Sequence, residues 1–524
     1  MDTTADDPTR VSPDAGDIRV VLDGRALGIP GLVRLADRAA VPAVAPEALD
    51  RTRRAWAAGR RLAAEGRWYG RGTGVGAHRS VPVEAHDEAA HGLRVLRSHA
   101  AGAGALLPAR QIRAMLAVRA NQLLAGGSGI QPAFVTALTE ALRLGVHPAV
   151  NEYGGVGTGD LTALAQTGLT LIGERPWLAD PAPGPAVPVP DPAPPGPAAG
   201  PAPADPALSL TLPAPVTPQP GDALALLSSN ALALGQAALA VHDIDLLLRA
   251  THAVAALSLA AVSGSPEAYA APVHALRPYP GPARAAAEVR RLLGMADRPL
   301  NAGRRIQDPF GFRAFPQAHG VALEAAERLR QVVEVEINCP SENPVVDPDG
   351  TTVHHHGGFY AAPLALALDG LDLALLQTAQ LSAARLAALT RADLTGLPAF
   401  LATGPASSSG TMILEYTANS ALAELRSCAA PASAGHAVLS HGLEEAASFA
   451  GQAARQALRA FGAYATVLAC ELVTAVRALR LRPVPPPVAA YTLAAAALPS
   501  GTEDRPLTGD VAAAVELLPQ LARL

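Results

Sequence analysis

What most constrains the fold of this 524-residue chain is a set of long stretches built from Ala and Leu with few interior charges, at 222–263, 361–391 and 442–479. Ala and Leu are the strongest helix formers. A helix that is apolar on nearly every side cannot face water, so these stretches must bury one another. Several long helices with short connections predict an all-α bundle. Aromatic residues make up only 4% of the chain, so Ala, Leu and Val must fill its core. The stretch 364–389 carries Asp369, Asp372 and Arg385 on an otherwise apolar helix, as a bundle core with a few polar pairs would. Residues 223–241 are uncharged and long enough to cross a membrane. Ser228, Ser229, Asn230 and Gln236 interrupt them, and Asp222 and Asp243 bound them, which favours a buried core helix.

Shorter helical patterns lie at 46–65, 84–102, 108–124, 131–144, 161–173, 282–294, 317–334 and 410–429, and residues 18–21 read as a short strand. Residues 1–17 are polar and acidic and read as disordered. Residues 176–220 are dense in Pro, Ala and Gly, which cannot sustain helix or sheet hydrogen bonding. The Ala/Leu pattern resumes directly afterwards, so this segment reads as an exposed, mobile insertion. Prolines at 483–487 end the last long helix, and a short C-terminal helix follows.

The net charge is -5, with no basic block, so nothing points to nucleic acid or an anionic membrane. Every one of the 41 basic residues is Arg. Without lysine, a pyridoxal phosphate Schiff base and a Walker-type phosphate loop are excluded. Cys339, Cys428 and Cys470 are far apart, which suits a reducing cytoplasm and offers neither a disulfide framework nor a zinc cluster. The N-terminus has no apolar signal core, so export is not expected. Adjacent His354, His355 and His356 point in alternating directions and do not converge on a metal ion.

The loops carry more specific information. Tyr69-Gly70 leads into Thr73-Gly74-Val75-Gly76, and a second glycine-rich loop runs from Gly154 to Asp160. Then follow Gln307-Asp308-Pro309-Phe310-Gly311-Phe312-Arg313 with Pro316-Gln317, Ser341-Glu342-Asn343-Pro344, Gly357-Gly358-Phe359, Pro431-Ala432-Ser433 with Glu444, and Asp504-Arg505-Pro506-Leu507. In order and spacing this set resembles the active-site loops of the histidine and aromatic amino acid ammonia-lyases, across about residues 18–520. The resemblance implies that family's all-α, fumarase/aspartase-like long helix bundle with a small N-terminal α/β portion. It divides the chain into a loop-bearing N-terminal domain at 18–221, a central bundle at 222–480 and a helical tail at 481–524. It also implies a homotetramer whose active sites draw loops from three subunits.

The family's electrophile, methylidene-imidazolone, forms autocatalytically from an Ala-Ser-Gly tripeptide. The glycine nitrogen attacks the carbonyl two residues back, and loss of water turns the serine into an exocyclic alkene. Here the tripeptide is Gly157-Thr158-Gly159, followed by Asp160. The ring-closing glycine and the following Asp match the family, while dehydrated Thr158 would give a bulkier ethylidene. Three outcomes stay open: a substituted imidazolone, an unmodified loop doing other chemistry, or an inactive protein. By the same resemblance Tyr69 is the general base, which needs a nearby cation or helix terminus to lower its pKa. Arg313 is the carboxylate clamp, a role suited to a guanidinium fork. Gln317, Asn343 and Phe359 line the substrate site. His99, with Ser98, and Glu444 mark members that use histidine. Ser228 and Phe310 stand where the family usually has Asn and Tyr. With Thr158, they place three departures around the electrophile, and Ala446 replaces a His common in the histidine type.

The function expected is non-oxidative C–N elimination from histidine or a related amino acid. One alternative is a specialised-metabolism enzyme that uses Tyr69 and Arg313 without the prosthetic group for elimination or proton transfer. Another is a non-catalytic homologue. No nucleotide, pyridoxal phosphate or metal is expected.

Overall fold

The computed structural model describes residues 18–66, 68–179, 211–300 and 305–524. The predicted disordered N-terminus and the middle of the Pro-rich segment lie outside the described residues. The helix Ala231–Ala261 runs through the centre of the molecule, against Ala109–Ala125, Phe315–Glu336 and Ala450–Arg480, and Ala362–Leu389 packs on the last two. Nearly every side chain of Ala231–Ala261 facing these neighbours is Ala, Leu or Val, and most are fully buried. Three helical segments are long and apolar enough to cross a membrane, and the most apolar part of the central one is entirely enclosed by protein. Ala362–Leu389 is less completely covered: Leu366 and Leu373 are exposed, as are Ile413 and Tyr416 on the neighbouring helix Met412–Cys428.

Close approach depends on small residues. A Cβ at Gly320 would sit 2.2 Å from the Pro282 nitrogen, so the helix Pro280–Leu292 crosses Phe315–Glu336 backbone to backbone. The charges predicted inside the bundle are satisfied as a group. Arg385 and Glu471 are both fully buried, with Nε–Oε1 at 2.6 Å and Nη2–Oε2 at 2.8 Å. Ser258 and Ser382 donate to the two Glu471 oxygens at 2.6 and 2.5 Å.

The N-terminal portion is α/β in a minimal sense. Strand Arg19–Leu22 pairs in parallel with Val41–Val44, with helix Ile29–Ala36 between them.

Three expectations are corrected. The stretch 222–263 is two helices, Asp222–Leu227 and Ala231–Ala261, broken at Ser228-Ser229-Asn230. Polar side chains there compete for backbone hydrogen bonds, and Asp160 and Asn230 spend theirs across the break. The last long helix begins at Ala450, not 442, and residues 442–449 form an irregular segment that carries Glu444. The Pro-rich segment is shorter than predicted. Trp177–Ala179 is a strand paired antiparallel with Val146–Pro148, and Val216 is buried with its N–H on the Leu171 carbonyl at 2.9 Å. Apolar Trp177 and Val216 gain more from packing than the neighbouring prolines lose.

Candidate active site

The break at Ser228-Ser229-Asn230 creates the site. It places the N-terminus of the long central helix against the loop Gly154–Gly159. Asp160 binds the two together: its N–H donates to the Ser229 carbonyl at 2.7 Å and its Oδ2 accepts the Ala233 N–H at 2.9 Å. Burial raises the Asp160 carboxyl to about 6, although the N–H groups it receives oppose the shift.

Gly157 and Gly159 have φ of +84° and +105°, which Gly adopts at little cost. The Gly157 carbonyl accepts the Ser448 hydroxyl at 2.9 Å, and the Gly159 N–H donates to Asn230 Oδ1 at 3.1 Å. Asn230 Nδ2 donates to the Phe359 carbonyl at 2.6 Å, which fixes the amide orientation. Thr158 Oγ1 donates to Glu444 Oε2 at 3.1 Å. Glu444 is itself held by a bridge to Leu439.

A cavity of about 690 Å³ opens beside this loop. Its lining brings together Tyr69, His99, Thr158, Ser228, Asn343, Phe359 and Glu444, seven positions predicted from separate parts of the sequence. The His99 Nδ1–H donates to the Val95 carbonyl at 2.8 Å, which leaves Nε2 as the free ring nitrogen. Asn343 Oδ1 accepts the His356 N–H at 2.9 Å. His356 Nε2 donates to the Glu342 carbonyl at 2.7 Å, and its Nδ1 accepts the Gly358 N–H at 2.8 Å. The histidine run therefore joins two site loops. Among the described residues no group of three His, Cys, Asp or Glu side chains could hold a metal ion.

The Tyr69 hydroxyl accepts the Gly76 N–H at 2.8 Å. Burial, aided by the Glu444 charge, holds this phenol above its ordinary pKa. The activating cation expected beside Tyr69 is therefore not provided strongly enough within one chain.

Phe310, Arg313 and Gln317 do not line the cavity. They are exposed on Phe310–Arg313 and the start of Phe315–Glu336. Their backbone is nonetheless fixed: Arg385 Nη1 donates to the Gly311 carbonyl at 3.1 Å, and the Tyr269 hydroxyl donates to the Phe312 carbonyl at 2.7 Å. The Arg313 guanidinium lies 4.8 Å over the Phe310 ring, and among the described residues it has no carboxylate partner.

The chain matches the aromatic amino acid lyase family model over residues 27–498. It belongs to the aromatic amino acid lyase family. Among its relatives is the histidine ammonia-lyase of Symbiobacterium thermophilum, 34% identical over 502 residues, covering 94% of this chain and 96% of the relative. That of Anaeromyxobacter dehalogenans is 35% identical over 512 residues, covering 95% and 98%. The solved histidine ammonia-lyase of Trypanosoma cruzi superposes with a TM-score of 0.83 at 27% identity, covering 96% of this chain and 94% of that one. Ergothionase from Treponema denticola has the same fold, with a TM-score of 0.84 at 23% identity, covering 97% and 100%. Membership places the protein among carbon–nitrogen lyases.

Within that family frame, sequence reasoning missed three residues. Ser228 lines the cavity, but the side chain that reaches the electrophile loop is Asn230, two positions on. Ser448 was passed over because a lone Ser carries no signal in sequence. His91 lines the cavity, and its Nε2 is buried with no hydrogen-bond partner. A buried polar atom without a partner is costly, and a ligand is one explanation for retaining it.

Proposed function

We propose that this protein eliminates ammonia from histidine or a closely related amino acid with a polar nitrogenous side chain. The observation that carries this reading is the meeting of Tyr69, Thr158, His99 and Glu444 in one cavity. The Glu444 carboxylate and His99 Nε2 are both acceptors and can take the two N–H groups of an imidazolium ring. Tyr69 takes the β-proton, from the side-chain carbon that carries the ring, as the Cα–N bond breaks. The backbone-derived electrophile, when formed from Gly157-Thr158-Gly159, would engage the substrate and make its amine a better leaving group. The loop suits that group, because its attacked carbonyl and its attacking nitrogen both already hold hydrogen-bond partners.

Arg94 lines the cavity, but Asp87 holds its two Nη atoms at 3.0 and 2.5 Å, so the substrate carboxylate calls for a further cation. We assign it to Arg313 of a second copy. Exposed yet rigidly held, it is built to be presented to a neighbour, together with Phe310 and Gln317. The same cation would favour the Tyr69 phenolate. The uncovered Leu366, Leu373, Ile413 and Tyr416 give such copies an apolar surface to bury, and the assembly we propose is the homotetramer that the family resemblance implies. Its three cysteines are free, which suits the cytoplasm, where we place the protein.

The test is ultraviolet detection of the unsaturated product on incubating purified protein with L-histidine and its close analogues. The expected result is product formation with an equivalent of free ammonia. Assembled protein that has lost the waters of ring closure, yet forms no product from any imidazole amino acid, overturns the reading.

A further inference from the structure

The contacts around the glycine loop do more than hold it in place. Gly157 contributes the carbonyl carbon that ring closure attacks, and Gly159 the nitrogen that attacks it. Each has one buried side chain on the atom that matters. The Ser448 hydroxyl donates to the Gly157 oxygen at 2.9 Å, and the Ala361 N–H approaches the same oxygen at 3.5 Å. Ser448 Oγ in turn accepts the Ala450 N–H at 3.3 Å, which commits its proton to Gly157. The helix Ala450–Arg480 begins there, so the positive end of its dipole lies beside that oxygen. Both effects stabilise negative charge developing on the carbonyl oxygen. On the other reactant, Asn230 Oδ1 accepts the Gly159 N–H, pulling its proton away from the nitrogen lone pair that must attack.

The absence of a side chain at position 157 belongs to the same arrangement. A Cβ there would come 2.0 Å from Ser448 Oγ, and φ at this residue is +84°. Gly157 therefore gives the hydroxyl unobstructed access to the carbonyl.

We propose that Ser448 and Asn230 are catalytic residues for the self-processing of this chain: Ser448 as the oxyanion donor, Asn230 as the acceptor that activates Gly159. The Gly159 nitrogen bonds to the Gly157 carbonyl carbon, and the carbonyl π pair moves to oxygen, which takes the Gly159 amide proton. That oxygen leaves as water with the Thr158 N–H proton, and a C=N bond remains. Thr158 then loses its Cα proton and Cβ hydroxyl as a second water, forming Cα=Cβ. No electrons are gained or lost. This inference rests on the family's backbone-derived electrophile but not on the identity of the substrate.

The experiment is intact-protein mass spectrometry on freshly purified full-length protein and after timed incubation, with circular dichroism to verify folding. Wild type is expected to be lighter than its encoded mass by two waters. Ser448→Ala and Asn230→Ala should keep the full mass at purification and lose water about 100-fold more slowly, the usual cost of removing one preorganised hydrogen-bonding group from a reacting centre. Should Ser448→Ala not fold, Ser448→Cys, close in volume and a weak donor, decides the matter and must also be slow. Wild type at full encoded mass, or folded Ser448 and Asn230 variants that lose both waters at the wild-type rate, would overturn the proposal. The two readings fail separately. Processed protein without activity on imidazole amino acids sinks only the substrate assignment. Ammonia release by protein of full mass sinks only this one.

Discussion

At the residue scale, the site is decided by where single polar atoms find partners. Asp160 shows this through its proton. Its native carboxyl titrates near 6 against an ordinary 3.8, so between those values the folded state binds more protons than the unfolded one. Its contribution therefore lowers stability as pH rises from about 4 to 6, by up to about 3 kcal/mol. Asp160→Asn should remove that part of the slope, and urea midpoints measured across this range against wild type will show it. His91 offers a complementary prediction. Replacing it with Leu deletes an unpaired buried nitrogen, so thermal stability should hold or rise. If the imidazole serves the substrate, kcat/KM should fall by about tenfold, the worth of one hydrogen bond. Unchanged kinetics would make His91 a bystander.

At the element scale, function depends on breaks and ends in the helices. The interruption at 228–230 brings Asn230 to the loop, and the late start at Ala450 frees Glu444 and Ser448 to reach it. The buried Arg385–Glu471 pair ties three long helices together and also holds the Gly311 carbonyl, so it supports the segment that presents Phe310 and Arg313. Glu471→Gln would leave Arg385 charged and uncompensated. The expected cost is about 3–5 kcal/mol of stability in denaturant unfolding. Any folded fraction should show a raised KM, because Arg313, the proposed carboxylate clamp, loses its support.

At the scale of the whole molecule, the proposed function has one chain carry both halves of a site that it does not close on itself. Tyr69, His99, Thr158 and Glu444 share a cavity, while Phe310, Arg313 and Gln317 face outward elsewhere. Tyr69→Phe and Arg313→Ala should each be nearly inactive alone. Refolding or co-expressing the two together should restore part of the activity, since some mixed assemblies contain sites with both native residues. If mixing never restores activity while both variants assemble normally, the sites do not share these residues between copies.

The sequence by itself determined the helical class and most helix positions, because these depend on local signals. Ala and Leu runs form helices wherever they are buried, and a glycine-rich loop beside a tyrosine is recognisable without its surroundings. Tyr69 and Thr158 were legible in that way, His99 and Glu444 only through the resemblance of the ordered loops to a known family. Only the tertiary structure decided which polar residues serve the loop. Asn230 outranks Ser228 because the stretch 222–263, continuous in its Ala/Leu pattern, breaks at Ser228–Asn230, and Ser448 matters because, 291 positions along the chain, it precedes a helix that starts beside the Gly157 carbonyl. Ends and breaks of helices are set by long-range hydrogen bonds, which compete with local propensity on nearly equal terms, so the sequence pattern could not place them.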